Sequence, residues 1–395
     1  MKLDKLFSIL LAFYPVLCLY AAFSSFTIGD VFLIILLIMY FLNGGRIKIN
    51  APLLPIFVCY IILVLLLRVA FSTDNDTVIQ GNAALIRGLK LLFYTIGVIS
   101  VGTSLLNFKV FAKYTIWIGT AASCFMIFQY ICFLALGIVV LGQIPGLALH
   151  LTEYTEIDYE TFYSNTFRPC SIFLEPAMYV QYMMIPLSIV LFTKTIFSVK
   201  IKFFLALLFT TTCFMSTSGQ GILYITLLYS IYAFNTFKNK FVLVIILIVF
   251  FIIALISYNI VEPFQFAVDR LLKGEDAQDA RLGTYHYCYE MTGWRMIFGN
   301  GYGIIPNNEY LAGAAYVWYG GGIIGLFLVL LTYMNYYVKS KPLFSRFVCF
   351  IFFVMLWGTA IFYNYMLFWF FSIISGTMKS DFELNSEIFF KEGKI

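Results

Sequence analysis

Apolar stretches as long as a bilayer's hydrocarbon core is thick recur along this 395-residue chain. A helix needs about 18 or more such residues to cross a membrane, where no water is available to bond an open backbone. The runs fall near 4–23, 27–42, 52–70, 85–105, 112–140, 177–196, 199–215, 219–236, 240–260, 311–337, 345–360 and 363–377. They predict an all-α polytopic membrane protein with about twelve transmembrane helices, or eleven if the last two are one aromatic run broken around Tyr363–Tyr365. A hydrophobic share of 62% and a mean hydropathy of +0.92 agree with this class. The alternating ten-residue pattern of a β-barrel is missing. The first run follows Lys2 and Lys5 like a signal peptide, but no small-residue cleavage site closes it, so it reads as the first span. Nothing divides the chain into further domains, and it reads as one integral membrane domain over 1–395.

The basic residues orient the spans. With a cytoplasmic N-terminus, 17 of the 25 lie inside, nearly all lysine, and both termini are cytoplasmic. The other eight are Arg68, Arg87, Lys90, Arg168, Arg270, Lys273, Arg281 and Arg295 at the outer face, and six of these are arginine. Positive charge alone is served by lysine. Planar forked donors suit phosphate or carboxylate, so the outer arginines point to an anion. The plainer reading pairs them with acids such as Glu153, Glu156, Asp158, Asp269 or Glu290. Arg87 and Lys90, three residues apart on one helix face, either line an anion site or snorkel to the interface.

Two outer loops are long, 141–176 and 261–310. The first is acidic and rich in tyrosine, a composition that stacks on and hydrogen-bonds sugars, and it closes on FRPCSIFLEPAMYVQY. There Arg168 and Glu175 stand at the mouth of an apolar helix, each followed by proline. Charges at a membrane edge are costly unless paired or held in a wet cavity. The second loop opens with an amphipathic segment from Pro263 to Leu272, suited to an outer interfacial helix ended by Gly274. It closes on Gly299-Asn300-Gly301-Tyr302-Gly303, which is no dinucleotide fingerprint because no strand precedes it, and reads as a turn bringing backbone close to something. Gly320-Gly321-Gly322 and Gly325 in the next span permit close helix packing. Six cysteines fall in apolar runs; Cys170 and Cys288 lie in the loops, where a disulfide between them is one expectation. No CxxC or His/Cys cluster suggests zinc, and nothing suggests nucleic acid.

Arg168-x-x-Ser171-x-Phe173-x-Glu175-Pro176 resembles the motif entering a mid-chain helix in bacterial Wzy-type polysaccharide polymerases, relatives of the O-antigen ligases. Arg281, then Ile297–Gly301, Asn308–Leu311 and Gly321–Gly325, is similar to the second half of that signature. Asn307-Asn308 stands where the ligases commonly have His-Asn, which favours polymerase. Ser216-Thr217-Ser218-Gly219 resembles a family Ser-x-Ser turn but lacks the arginine that often follows. The resemblance implies a GT-C-like membrane glycosyltransferase in the bacterial inner membrane. It would join undecaprenyl-pyrophosphate-linked repeat units, donor and acceptor alike, into O-antigen or capsule, with a chain-length regulator as partner. No metal or other cofactor is expected, because a pyrophosphate leaving group asks for charge neutralisation and positioning. Glu175, with Glu309 and His286 behind it, is the expected proton acceptor, and Glu175 has the alternative of a salt bridge that fixes the loop. Arg168, Arg281, Arg87, Lys90 and Arg295 are the expected pyrophosphate ligands. A flippase for the same lipid-linked unit and an O-antigen ligase are the rivals, the flippase disfavoured by long loops and the lack of internal repeats.

Overall fold

A computed structural model describes residues 2–23, 26–71, 75–150, 167–193, 197–236, 259, 265, 285–306, 311–359 and 365–378. The expected span at 240–260 falls almost wholly outside them, as do the acidic stretch 151–166, nearly all of the amphipathic segment, Arg281 and Glu309. The described residues are mainly helical. The helices are α1 Leu3–Leu17, α2 Ile28–Leu42, α3 Leu53–Phe71, α4 Asn75–Gly97, α5 Phe108–Leu136, α6 Pro176–Phe192, α7 Val199–Met215 and α8 Gly219–Thr236. They continue as α9 His286–Tyr289, α10 Trp294–Phe298, α11 Gly313–Lys339, α12 Leu343–Gly358 and α13 Met366–Thr377. Among the described residues four stretches are long and apolar enough to cross a membrane: Leu53–Ala70, Asn82–Leu105, Phe108–Leu136 and Gly313–Lys339. Each coincides with an expected span. Shorter apolar helices occupy the expected positions of α2, α6, α12 and α13.

The first helix stops at Leu17, short of the expected Phe23. Ala21–Phe23 (β1) instead pairs antiparallel with Phe26–Thr27 (β2), and Ala21 donates its N–H to the Ala148 carbonyl at 2.9 Å. Asp30 accepts from the Thr27 N–H at 3.1 Å and from the Tyr14 hydroxyl at 3.0 Å, which satisfies a buried carboxylate where α2 begins.

The chain packs as two compact units. The first comprises Met1–Leu11, Phe32–Phe108 and Glu275–Leu384. At its centre α13 is buried on almost every side. Phe370 stacks on Phe352 with centroids 4.6 Å apart, and the Trp369 indole donates to the Leu11 carbonyl at 2.9 Å. Gly97 and Gly102 let α4 lie against Phe368 and Ser372; a Cβ on Gly97 would meet the Phe368 ring at 2.8 Å. Between those glycines α4 widens into a π turn, Val98–Gly102, before a last α turn to Leu105. At this end of the unit Lys339 donates to the Asn50 carbonyl and Arg346 to the Ser340 carbonyl, both at 2.7 Å. Arg346 thus meets the C-terminal carbonyl of α11, where the dipole favours a cation.

The second unit comprises Ala12–Val31, Lys109–Gly274 and Asn385–Ile395. Here α6 is the buried helix, packed on α7 and α8. Pro186 faces Gly119 of α5, where a Cβ would come within 3.1 Å of the proline ring. The Tyr179 hydroxyl donates to Thr212 at 2.7 Å, and Ser123 lies 3.2 Å from Tyr179 and 3.1 Å from Thr212. One hydroxyl from each of α5, α6 and α7 therefore closes a small buried network, which leaves none of the three wanting a partner in an apolar interior.

Candidate functional site

In the first unit the site is built on a break in a helix. Gly322 in α11 has φ 65° and ψ −169°, so the helical hydrogen-bond ladder is interrupted there. The carbonyls just before the break must find other donors, since unsatisfied backbone in a membrane protein is expensive. They find them in the glycine loop. Asn300 N–H donates to the Tyr319 carbonyl at 2.8 Å and Gly301 N–H to the Gly320 carbonyl at 2.9 Å. The Tyr60 hydroxyl of α3 takes the Gly321 carbonyl at 2.8 Å. Gly299, Gly301 and Gly303 have φ of 84°, 101° and 91°, a conformation that glycine adopts without strain. A Cβ on Gly299 would meet the Gly320 carbonyl carbon at 2.5 Å. The turn expected from sequence thus closes on the broken helix, and the glycines expected to serve helix packing also supply the break.

Arginines from three elements surround this loop. Arg87 of α4 donates from Nη1 to the Gly303 carbonyl at 2.9 Å, so one of its roles is to hold the loop. Lys90 follows one turn on and, like Arg87, is half-buried. Arg68, in the last turn of α3, runs its stem past Gly301, where a Cβ would lie 3.4 Å from the Arg68 Cβ. Arg68 Nε is buried, and among the described residues nothing accepts a hydrogen bond from it. Arg295, exposed on α10, and Arg68 both act electrostatically on the Tyr319 hydroxyl. Tyr319 also packs beside Leu65, Ala84 and Ile304. The site therefore gathers Arg68, Arg87 and Arg295, with Lys90 beside Arg87, at one end of the unit. Arg68 was legible as an outer arginine but nothing adjacent in sequence marked it as a ligand.

His286 opens the short helix α9 with its ring 3.8 Å from that of Tyr287, and it is exposed. The same turn holds Cys288, whose thiol donates to the Ala315 carbonyl at 3.4 Å. Burial pushes that thiol up to about 12, so it stays protonated and unreactive. All eight cysteines are thiols, and the Cys170–Cys288 disulfide considered from sequence is not formed.

In the second unit Arg168 is only 7% exposed. Phe167 before it stacks on Phe133 at 4.1 Å, and Pro169 and Cys170 after it are buried. Ser171 is left-handed at φ 57° and is pinned from two sides. Its N–H donates to Gln129 Oε1 at 2.9 Å, and its hydroxyl donates to the Ala122 carbonyl at 2.6 Å. Gln129 Nε2 donates to the Val140 carbonyl at 2.8 Å. Gly142 lies against Ser171, where a Cβ would overlap the Ser171 carbonyl oxygen. Glu175 is the N-cap of α6, extended at φ −136° and ψ 148°, with Pro176 at the first helical position. Its half-buried carboxylate makes no capping bond to that helix.

Gln129 thus fixes the motif from an apolar helix. Gln129→Ala would strand the Ser171 amide in a dry interior, at a cost of about 1–3 kcal/mol. A lower thermal midpoint for purified Gln129→Ala, with Ser123→Ala as a comparison, checks this.

Arg281 and Glu309 lie outside the described residues. Among the described residues no group of three His, Cys, Asp or Glu side chains comes together as metal ligands. No family model matches the sequence, and no curated protein matches it.

Proposed function

We propose that the chain is a membrane glycosyltransferase of the polysaccharide polymerase class, acting on undecaprenyl-pyrophosphate-linked repeat units. The observation that carries the reading is Arg68. A guanidinium with a buried, unaccepted Nε, near a second arginine at a helix end, is a poor structural device and a good receptor for a diphosphate. Arg87 and the glycine loop hold its surroundings rigid, which is what positioning catalysis requires. The second unit carries buried Arg168 and, seven residues on, the half-buried carboxylate of Glu175, a cation and a group of the type that accepts a proton. In this reading the helices number about twelve, both termini are cytoplasmic and both long loops face outward. A chain-length regulator would be the protein partner.

The test is conversion of synthetic lipid-linked repeat units by the purified protein, without nucleotide or added metal. A ladder of longer glycans on the lipid is expected, weakened at least tenfold by Arg68→Gln, since one charged hydrogen bond is worth about 1.5–3 kcal/mol. No elongation, together with a deletion strain that displays no repeat units at all, would instead identify a flippase. A deletion strain with long polymer retained on the lipid carrier would identify a ligase.

A further inference from the structure

The end of α7 holds a residue that its backbone does not suit. Ser216 is helical at φ −65° and ψ −11°, and Thr217 is left-handed at φ 51°. This is the usual way for a helix to stop, but the left-handed place normally belongs to glycine or asparagine. A β-branched residue there is strained. Thr217 is also 3% exposed, and its hydroxyl has no hydrogen-bond partner. Glycine would hold the same turn with neither penalty. The threonine side chain therefore works against the fold twice.

Around it, the same ends of α6, α7 and α8 are polar. Ser216, Ser218, Gln220 and Gln181 are all buried, at 7% exposure or less. Gln181 Nε2 donates to Gln220 Oε1 at 3.2 Å, tying α6 to α8. That bond leaves the Gln181 carbonyl oxygen and the Gln220 amide nitrogen for another partner, and neither is sealed from the surface. One offers an acceptor, the other a donor, and the hydroxyls of Thr217 and Ser218 offer both. An anion would be repelled by the amide oxygen, and a cation by the amide N–H groups. A sugar ring, whose hydroxyls donate and accept in turn, is matched by all of them.

We propose that Thr217, Ser218, Gln181 and Gln220 form a recognition site for the hydroxyls of a neutral sugar in the lipid-linked glycan. The proposal rests on the glycosyltransferase reading and assigns the sugar to the second unit. Thr217 carries its hydroxyl and methyl on one carbon, so a χ1 rotation on sugar binding turns the buried donor towards the ligand.

Two probes separate this from the parent reading: undecaprenyl pyrophosphate bearing the repeat unit, and undecaprenyl pyrophosphate alone. Wild-type protein in nanodiscs is expected to bind the glycan-bearing probe more tightly. Thr217→Gly is expected to melt at or above the wild-type temperature, to bind the sugar-free lipid normally, and to lose about three- to tenfold in affinity for the glycan-bearing one. Gln220→Ala should show the same selective loss, and it decides the matter alone if Thr217→Gly fails to fold. Unchanged glycan affinity in the folded variants, or an equal loss for both probes, overturns the sugar site. Equal wild-type affinity for the two probes overturns it while leaving the lipid-pyrophosphate reading intact. Wild-type binding of neither probe overturns both.

Discussion

Gly322→Ala is expected to deprive the protein of most of its thermal stability. The backbone at Gly322, φ 65° with ψ −169°, lies in a region open essentially to glycine alone. An added Cβ would also overlap the Ile297 carbonyl oxygen and sit 2.6 Å from the Phe298 nitrogen, both backbone atoms that no rotamer change can move. Strain and overpacking together cost on the order of 3 kcal/mol or more, a large fraction of what a folded domain possesses. The matched control is Gly325→Ala on the same helix. There the new methyl would meet the Ile61 side chain at 3.4 Å, an ordinary contact, and stability should change by about 1 kcal/mol or less. The thermal midpoints of the two variants, read side by side in the same detergent, decide the point. A Gly322→Ala protein as stable as Gly325→Ala would mean that the break in α11 is not obligatory.

On the proposed polymerase function, Arg168→Lys is expected to lower polymerisation by roughly ten- to a hundredfold while the protein reaches the membrane at its normal level. Lysine keeps the charge but not the fork, and losing one charged hydrogen bond costs about 1.5–3 kcal/mol. Arg168 is 7% exposed between an aromatic stack and Ser171, whose backbone is fixed by Gln129, so a lysine cannot recover the geometry by moving the loop. If Arg168 only completed a structural ion pair, lysine would largely serve, and alanine would reduce protein abundance. Polymer length and membrane level, measured together for Lys and Ala variants, separate the two. Normal polymer from a well-expressed Arg168→Lys protein would remove Arg168 from the site.

Much of the architecture was legible because lipid imposes so few solutions. A run such as 52–70 has little choice but to become α3, and the four longest helices among the described residues fall where apolar runs predicted them. The misjudged end of α1 has a simple cause. Tyr20–Phe23 is as apolar as the helix before it, and its departure into β1 is set by Ala148, far along the chain. The site was legible in its types but not in its connections. Glycines at 299, 301 and 303 announced a close approach, yet the surface approached was identified only by the break at Gly322, which sequence could not distinguish from helix-packing glycine. Gln129 was invisible for a related reason. One glutamine in an apolar helix carries no local signal, and its partner Ser171 lies 42 residues away. Arg68 became a ligand candidate only once Tyr319 and the glycine loop were placed beside it.

A helix with open carbonyls is a hazard while a membrane protein is being made, because lipid offers nothing to fill them. For α11 the order of synthesis removes the hazard. Tyr60 belongs to an earlier span, and Asn300 and Gly301 are translated just before the carbonyls they will meet. Every donor thus precedes the acceptor it serves. The loop closing the gap is short, so its closure costs little entropy and is fast on the scale of translation. Vectorial synthesis therefore delivers the broken helix to partners already waiting for it, and a permuted chain that placed α11 ahead of them would not.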